Sequence, residues 1–138
     1  MKIAVVGAGA MGCLFGGMLA RAGEDVVLVD VSPAAVEALG RRGVRLWEGE
    51  NVRDVPVRAV PNPAAAGLAD LVLVMVKAQH TTSAAGSLGP LLGPCTAVLT
   101  LQNGLGASDV LAEAVGAERL LVGVTAQGAT LLAPGEVR

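Results

Sequence analysis

A short apolar run followed at once by three spaced glycines constrains the fold of this chain more than any other feature. Lys2-Ile3-Ala4-Val5-Val6 has the length of a strand, and Gly7-Ala8-Gly9-Ala10-Met11-Gly12 follows it directly. Apolar residues then recur at helical spacing from Ala10 to Ala22, where Gly23 ends the run. A strand, a G-x-G-x-x-G turn and a helix in immediate succession open a βαβ unit. Gly7 permits the tight turn out of the strand, Gly9 lets the backbone approach a ligand, and Gly12 lets the helix pack closely on the strand. The free N–H groups and positive dipole end of such a helix attract phosphate. Gly7, Ala8, Gly9, Ala10, Met11 and Gly12 are therefore expected to grip the pyrophosphate of a dinucleotide.

The remaining pattern repeats the alternation of strand and helix. Asp25–Asp30 reads as a second strand, and Ser32-Pro33 supplies an N-cap and first-turn proline for a helix to about Gly40. Val44–Trp47 and Val52–Val60 alternate apolar and polar residues as exposed strands do, with Pro56, Pro61 and Pro63 favouring an edge position. Leu71–Val76 is the most apolar strand, and a helix is expected over Thr82–Leu88. Thr96–Leu101 reads as a strand, Ser108–Val115 as a helix, Leu120–Val124 as a strand, and Ala126–Leu132 as one more. The reading is α/β: a Rossmann-type, doubly wound, mostly parallel sheet with helices on both faces. Residues 1–138 form one domain in this reading. Because Ala133–Arg138 resembles a turn entering a strand barely begun, a cut at the C-terminal end is expected.

Composition narrows the function classes. Hydrophobic residues make up 53% of the chain and charged residues 16%, which suits central strands apolar on both faces. A net charge of −2 offers no basic patch for nucleic acid, and no apolar run reaches the ~18 residues needed to cross a bilayer. The opening residues show no signal-peptide pattern, so a cytoplasmic location is expected. Cys13 and Cys95 lack metal-ligand or redox spacing and read as two buried thiols, and no metal site is expected.

Asp30 ends the second strand close to the ~20 residues beyond the glycine loop at which an acidic side chain meets the adenosine ribose. A carboxylate there repels a 2′-phosphate and favours NADH. Arg41 and Arg42 could fold back to such a phosphate, or could simply be solvated cations in the last turn of a helix.

Three further segments carry a family resemblance. Val76-Lys77-Ala78-Gln79-His80, Leu101-Gln102-Asn103-Gly104-Leu105-Gly106 and Thr125-Ala126-Gln127-Gly128-Ala129 each follow a strand. In this order, behind an N-terminal G-x-G-x-x-G, they make the chain resemble the ketopantoate reductase (2-dehydropantoate 2-reductase) family over essentially its whole length. The resemblance implies reduction of the ketone of 2-dehydropantoate to pantoate, toward coenzyme A, with NADPH. It implies that Lys77 and Asn103 lie beside the nicotinamide ribose in supporting catalytic roles, that Asn103 also reaches the substrate, and that Ala129 contacts the nicotinamide end through its backbone. Two positions depart from the family's pattern. His80 stands where a glutamine is common, and Val31-Ser32 stand where many members have an arginine suited to a 2′-phosphate.

The resemblance also implies that the family's proton-donating lysine belongs to a helical domain outside these residues. Cofactor binding with little turnover is then expected of this chain alone. Two other readings stay open: an NAD(H)-sensing regulatory Rossmann module without catalysis, and a related NAD-dependent 2-hydroxyacid dehydrogenase. The small-molecule partner is expected to be a 2-keto acid. Self-association into a homo-oligomer is expected through an uncovered apolar face.

Overall fold

The first strand feeds two cores at once. In the computed structural model, which describes residues 1–102 and 106–138, β1 (Lys2–Val6) turns Ile3 and Val5 to one face and Ala4 and Val6 to the other. All four are buried, as the two-residue period of a strand covered on both sides requires.

The elements follow in order as α1 (Ala10–Arg21), β2 (Asp25–Val29), α2 (Pro33–Arg42), β3 (Val44–Glu48), β4 (Asn51–Val55), β5 (Arg58–Val60) and α3 (Pro63–Ala66). Then come β6 (Ala69–Val74), α4 (Thr81–Ser87), β7 (Leu92–Thr100), α5 (Ala107–Val115), β8 (Leu120–Val122), β9 (Leu131–Ala133) and β10 (Glu136–Val137). Six strands form a parallel sheet in the order β5-β2-β1-β6-β7-β8, with α1 and Leu39 of α2 on one face and α3, α4 and α5 on the other. The chain leaves β1 toward β2 on one side and later returns to β6 on the other. This reversal between β1 and β6 is the topological switch point of a Rossmann sheet.

A second, four-stranded sheet in the order β4-β3-β10-β9 covers the outer side of α1. Adjacent glycines let one helix serve both sheets. A Cβ at Gly16 would lie 3.0 Å from Leu28 of the parallel sheet, and one at Gly17 would lie 3.0 Å from Val44 and 3.2 Å from Leu46 of the second. The chain end is seated in this sheet: Val137 is fully buried between β3 and β9, and Trp47 Nε1 donates to Glu136 Oε1 at 2.7 Å.

Three local expectations are corrected and one short helix is added. Val52–Val60 is not one strand, because Pro56 lacks an N–H for a ladder; the run divides into β4 of the second sheet and β5 at the edge of the first. Asn62-Pro63 caps a short helix, α3, just as Ser32-Pro33 caps α2; the side chains of Asn62 and Ser32 accept from Ala65 N and Ala35 N. Of Ala126–Leu132, only the last two residues enter a strand, β9. Cys13 is buried, but Cys95 is exposed, since it stands in the outer part of β7 before the strand enters the core. No helix of the described residues is long and apolar enough to cross a membrane.

Candidate functional site

All six parallel strands finish level. The register places Val60, Val29, Val6, Val74, Thr100 and Val122 in one row across the sheet. Everything that follows those residues is delivered to a single carboxyl edge, where open α/β sheets bind ligands. Gly7 N donates to Val29 O and Met75 N to Val6 O, each at 2.8 Å, so the turn after β1 is tied on both sides.

The glycine loop has the form of an anion cradle. Gly7 adopts φ +101°, open to glycine and costly for other residues. A Cβ at Gly12 would overlap the Gly7 carbonyl oxygen, so the helix could not begin so close to the strand with any larger residue. Gly9 is the N-cap of α1, with no side-chain cap, and a Cβ built on it meets nothing within 4 Å. Cys13 N–H bonds Gly9 O at 2.9 Å, so the N–H groups before it have no partner within the helix. Open space in front of uncapped donors fits a pyrophosphate.

Two clefts meet at this loop. One, of about 500 Å³, is lined by Gly7, Gly9, Asp30, Asn62, Lys77 and His80 among others. The second, of about 450 Å³, includes Gly9, Ala10, Met11, Lys77, Gln102, Thr125 and Gln127. Gly9 and Met75–Lys77 border both, so an extended ligand crossing the loop would lie in each cleft in turn.

Asp30 is bound before any ligand arrives. Its Oδ2 accepts from Ala8 N at 2.6 Å and its Oδ1 from Ser32 N at 2.8 Å. Each carboxylate oxygen retains a lone pair, and the side chain lines the first cleft, so ribose hydroxyls can still donate to it. Ala8 is buried with its N–H already committed to Asp30, and Gly12 is buried beneath the loop. Within the loop, Gly7, Gly9, Ala10 and Met11 are the residues that face the clefts. Cys13 lies under it, its thiol donating to Ala8 O at 3.2 Å; burial, and secondarily the charge of Asp30, push it up to about 12. Such a thiol is inert at neutral pH.

The arginines in the last turn of α2 point elsewhere. Arg42 donates to Pro134 O at 3.1 Å and pairs with Glu136 at 3.6 Å, while Arg41 pairs with Glu37 at 3.6 Å. Among the described residues, no arginine lines the first cleft.

Lys77 stands at the junction of the clefts. β6 ends at Val74, two residues earlier than the sequence pattern suggests, and the freed Met75–Lys77 turn along the carboxyl edge. Asn103, Gly104 and Leu105 lie outside the described residues. Ala129 packs, half-buried, against the core that α1 shares with both sheets and is not among the lining residues of either cleft. Sequence reasoning passed over Gln102, which lines the second cleft and whose amide reaches Val76 O at 2.6 Å and Thr81 Oγ1 at 3.0 Å. Its signal in the sequence is its place in the Leu101–Gly106 segment that carries the family resemblance, where no role was assigned to it. Thr125 and Gln127 line the same cleft, with Gln127 N donating to Thr125 Oγ1 at 3.0 Å.

Comparison with known proteins gives a consistent picture. A family model described as ketopantoate reductase PanE/ApbA matches residues 3–138. The 2-dehydropantoate 2-reductase of Halobacterium salinarum is 40% identical over 139 residues, covering 100% of this chain and 46% of that protein. The solved PanE/ApbA family ketopantoate reductase from Ralstonia eutropha matches with a TM-score of 0.91 and 40% identity, over 100% of this chain and 46% of that one. A D-mandelate dehydrogenase solved with NADH and anilino(oxo)acetate matches with a TM-score of 0.92 and 31% identity, over 99% of this chain and 45% of that one. The chain spans less than half the length of each of these relatives.

Proposed function

The chain belongs to the ketopantoate reductase PanE/ApbA family, and from that premise we propose that it is the cofactor-holding part of a cytoplasmic oxidoreductase that reduces a 2-keto acid. The observation that carries this reading is the junction of two clefts over an uncapped helix start, with Asp30 in one cleft and Lys77 bordering both. The adenosine half of a nicotinamide dinucleotide would occupy the first cleft, its pyrophosphate the loop, and its nicotinamide half the second.

When bound, the nicotinamide supplies a hydride for the carbonyl carbon of the keto acid, whose oxygen takes up a proton to give the 2-hydroxy acid. The chain's own residues bind and orient. Gly9, Ala10 and Met11 offer backbone N–H groups to phosphate. Asp30 accepts from ribose hydroxyls and repels a 2′-phosphate, so NADH is the favoured cofactor, although the family resemblance alone implies NADPH. Lys77 brings a cation toward the nicotinamide ribose and the place where alkoxide charge develops. Asn103, by resemblance, serves the same ribose and the substrate. Proton delivery to the alkoxide is assigned to a group outside these 138 residues.

The substrate proposed first is 2-dehydropantoate. A related NADH-dependent 2-hydroxyacid dehydrogenase is the second reading, favoured by Asp30 and by the likeness to the NADH-bound D-mandelate dehydrogenase. NADH consumption by the full-length protein, offered 2-dehydropantoate and then aryl 2-keto acids, separates them. Preference for 2-dehydropantoate supports the first, preference for an aryl keto acid the second, and inactivity with every 2-keto acid contradicts both.

A further inference from the structure

Resting on the cofactor reading above, we infer that Gln102 is a positioning residue that holds Lys77 at the junction of the two clefts. Gln102 follows β7, while Lys77 lies in the connection from β6 to α4. One side-chain amide joins them. Gln102 Nε2 donates to Val76 O at 2.6 Å and to Thr81 Oγ1 at 3.0 Å, and these two partners bracket the segment Lys77–His80. The segment is a single 3₁₀ turn closed by His80 N–H to Lys77 O at 2.8 Å. The amide therefore clamps a small closed unit at both ends.

The clamp is anchored from below. Thr81 and Thr100 are 3% and 1% exposed, and the Thr100 hydroxyl lies 3.4 Å from Gln102 Oε1. By contrast, Lys77, Ala78, Gln79 and His80 are all exposed, and Lys77 forms no ion pair among the described residues. Among the described residues nothing at the ammonium end fixes Lys77, so its position is set through the backbone, and Gln102 ties that backbone to the end of β7. The chemistry requires this residue type. A carboxylate at 102 could not donate to the Val76 carbonyl, and asparagine is one methylene shorter. Without the clamp, the turn would sample more positions, and cofactor binding would have to reorder it.

The test is calorimetric titration of the purified protein with NADH and with ADP, which fills only the Asp30 and loop end. Wild type is compared with Gln102→Ala, Lys77→Met and the double variant. Gln102→Ala is expected to weaken NADH about tenfold, the effect of a lost hydrogen-bonded tie, and to weaken ADP clearly less, through the edge of the turn that also lines the first cleft. The double variant should bind NADH no more weakly than Lys77→Met alone, since the clamp acts through Lys77. Thr81→Ser should keep NADH affinity and Thr81→Val should lower it; this pair serves if Gln102→Ala does not fold. Equal losses for NADH and ADP, or additive losses in the double variant, overturn the assignment. So does an unaffected Gln102→Ala, or an unaffected Thr81→Val, with a wild type that binds NADH; these results leave the cofactor reading intact. A wild type that does not bind NADH overturns both.

Discussion

Asp30 Oδ2 accepts a hydrogen bond from Ala8 N at 2.6 Å, joining the end of β2 to the turn after β1. The carboxylate that would meet the ribose thus also shapes the loop that would meet the pyrophosphate. Asp30→Ala removes the acceptor for both Ala8 and Ser32 N–H groups and is expected to cost about 1–3 kcal/mol of stability. Asp30→Asn keeps one amide oxygen and should cost less. Urea unfolding of the two variants measures the difference, and equal stability of Asp30→Ala and wild type would show that the bond does not hold the loop.

The glycines of the loop should separate fold from function. Gly12→Ala places a Cβ on the Gly7 carbonyl oxygen and is expected to destabilise the whole chain. Gly9→Ala meets open space, so its stability should stay within about 1 kcal/mol of wild type, the scale of N-cap substitutions. Its NADH affinity should nevertheless fall more than tenfold, roughly the effect of 1.4 kcal/mol or more, because the added methyl occupies the path of the pyrophosphate. Thermal unfolding and titration on the same samples check both statements.

The two cysteines predict opposite behaviour. Cys95 is exposed and should react rapidly with iodoacetamide, whereas Cys13 should react only on unfolding. Burial raises the Cys13 thiol to about 12 in the fold, above the ~8.5 of an unfolded chain. Below pH 8.5 both states keep the proton and the contribution to stability is complete. As pH rises from there toward 12, only the unfolded chain releases its proton, so stability falls, by up to about 1.4 kcal/mol per pH unit. The chain has no tyrosine to blur this limb. Urea midpoints across alkaline pH should decline in wild type and decline less in Cys13→Ala.

Self-association is expected through β8. This is one of the two outer strands of the parallel sheet, and Leu121, Val122 and Val124 on and beside it are 54%, 61% and 87% exposed. An apolar edge with free backbone donors invites pairing. Light scattering of the 138-residue chain should show growth in mass with concentration, suppressed by Val122→Lys. A monodisperse monomer at high concentration would refute this.

The elements legible from sequence were those whose signals are local. Gly7–Gly12 after five strand residues, Ser32-Pro33 ahead of α2, and the apolar stretch of β6 each announce themselves within a few positions. What sequence did not reveal depends on distant partners. The residues before Pro56 pair with β3 and those after it with β2, far back in the chain, and β9 is a strand because Glu136–Val137 returns beside it. At the site, Asp30 and Lys77 were visible because each directly follows an apolar run in the sequence. The bond of Asp30 to Ala8 and the reach of Gln102 to Val76 are contacts between strand ends, set by a register that no single segment encodes. The turning away of Arg42 likewise depends on Pro134 and Glu136, far along the chain.

The central claim is that this fold holds a nicotinamide dinucleotide with Asp30 at the ribose. It is tested most directly by calorimetric titration of wild type and Asp30→Ala with NADH and NADPH. The account predicts tighter binding of NADH by wild type, with the preference lost or reversed in Asp30→Ala. Tighter binding of NADPH by wild type would contradict the role given to Asp30, and binding of neither cofactor would contradict the assignment of the site itself.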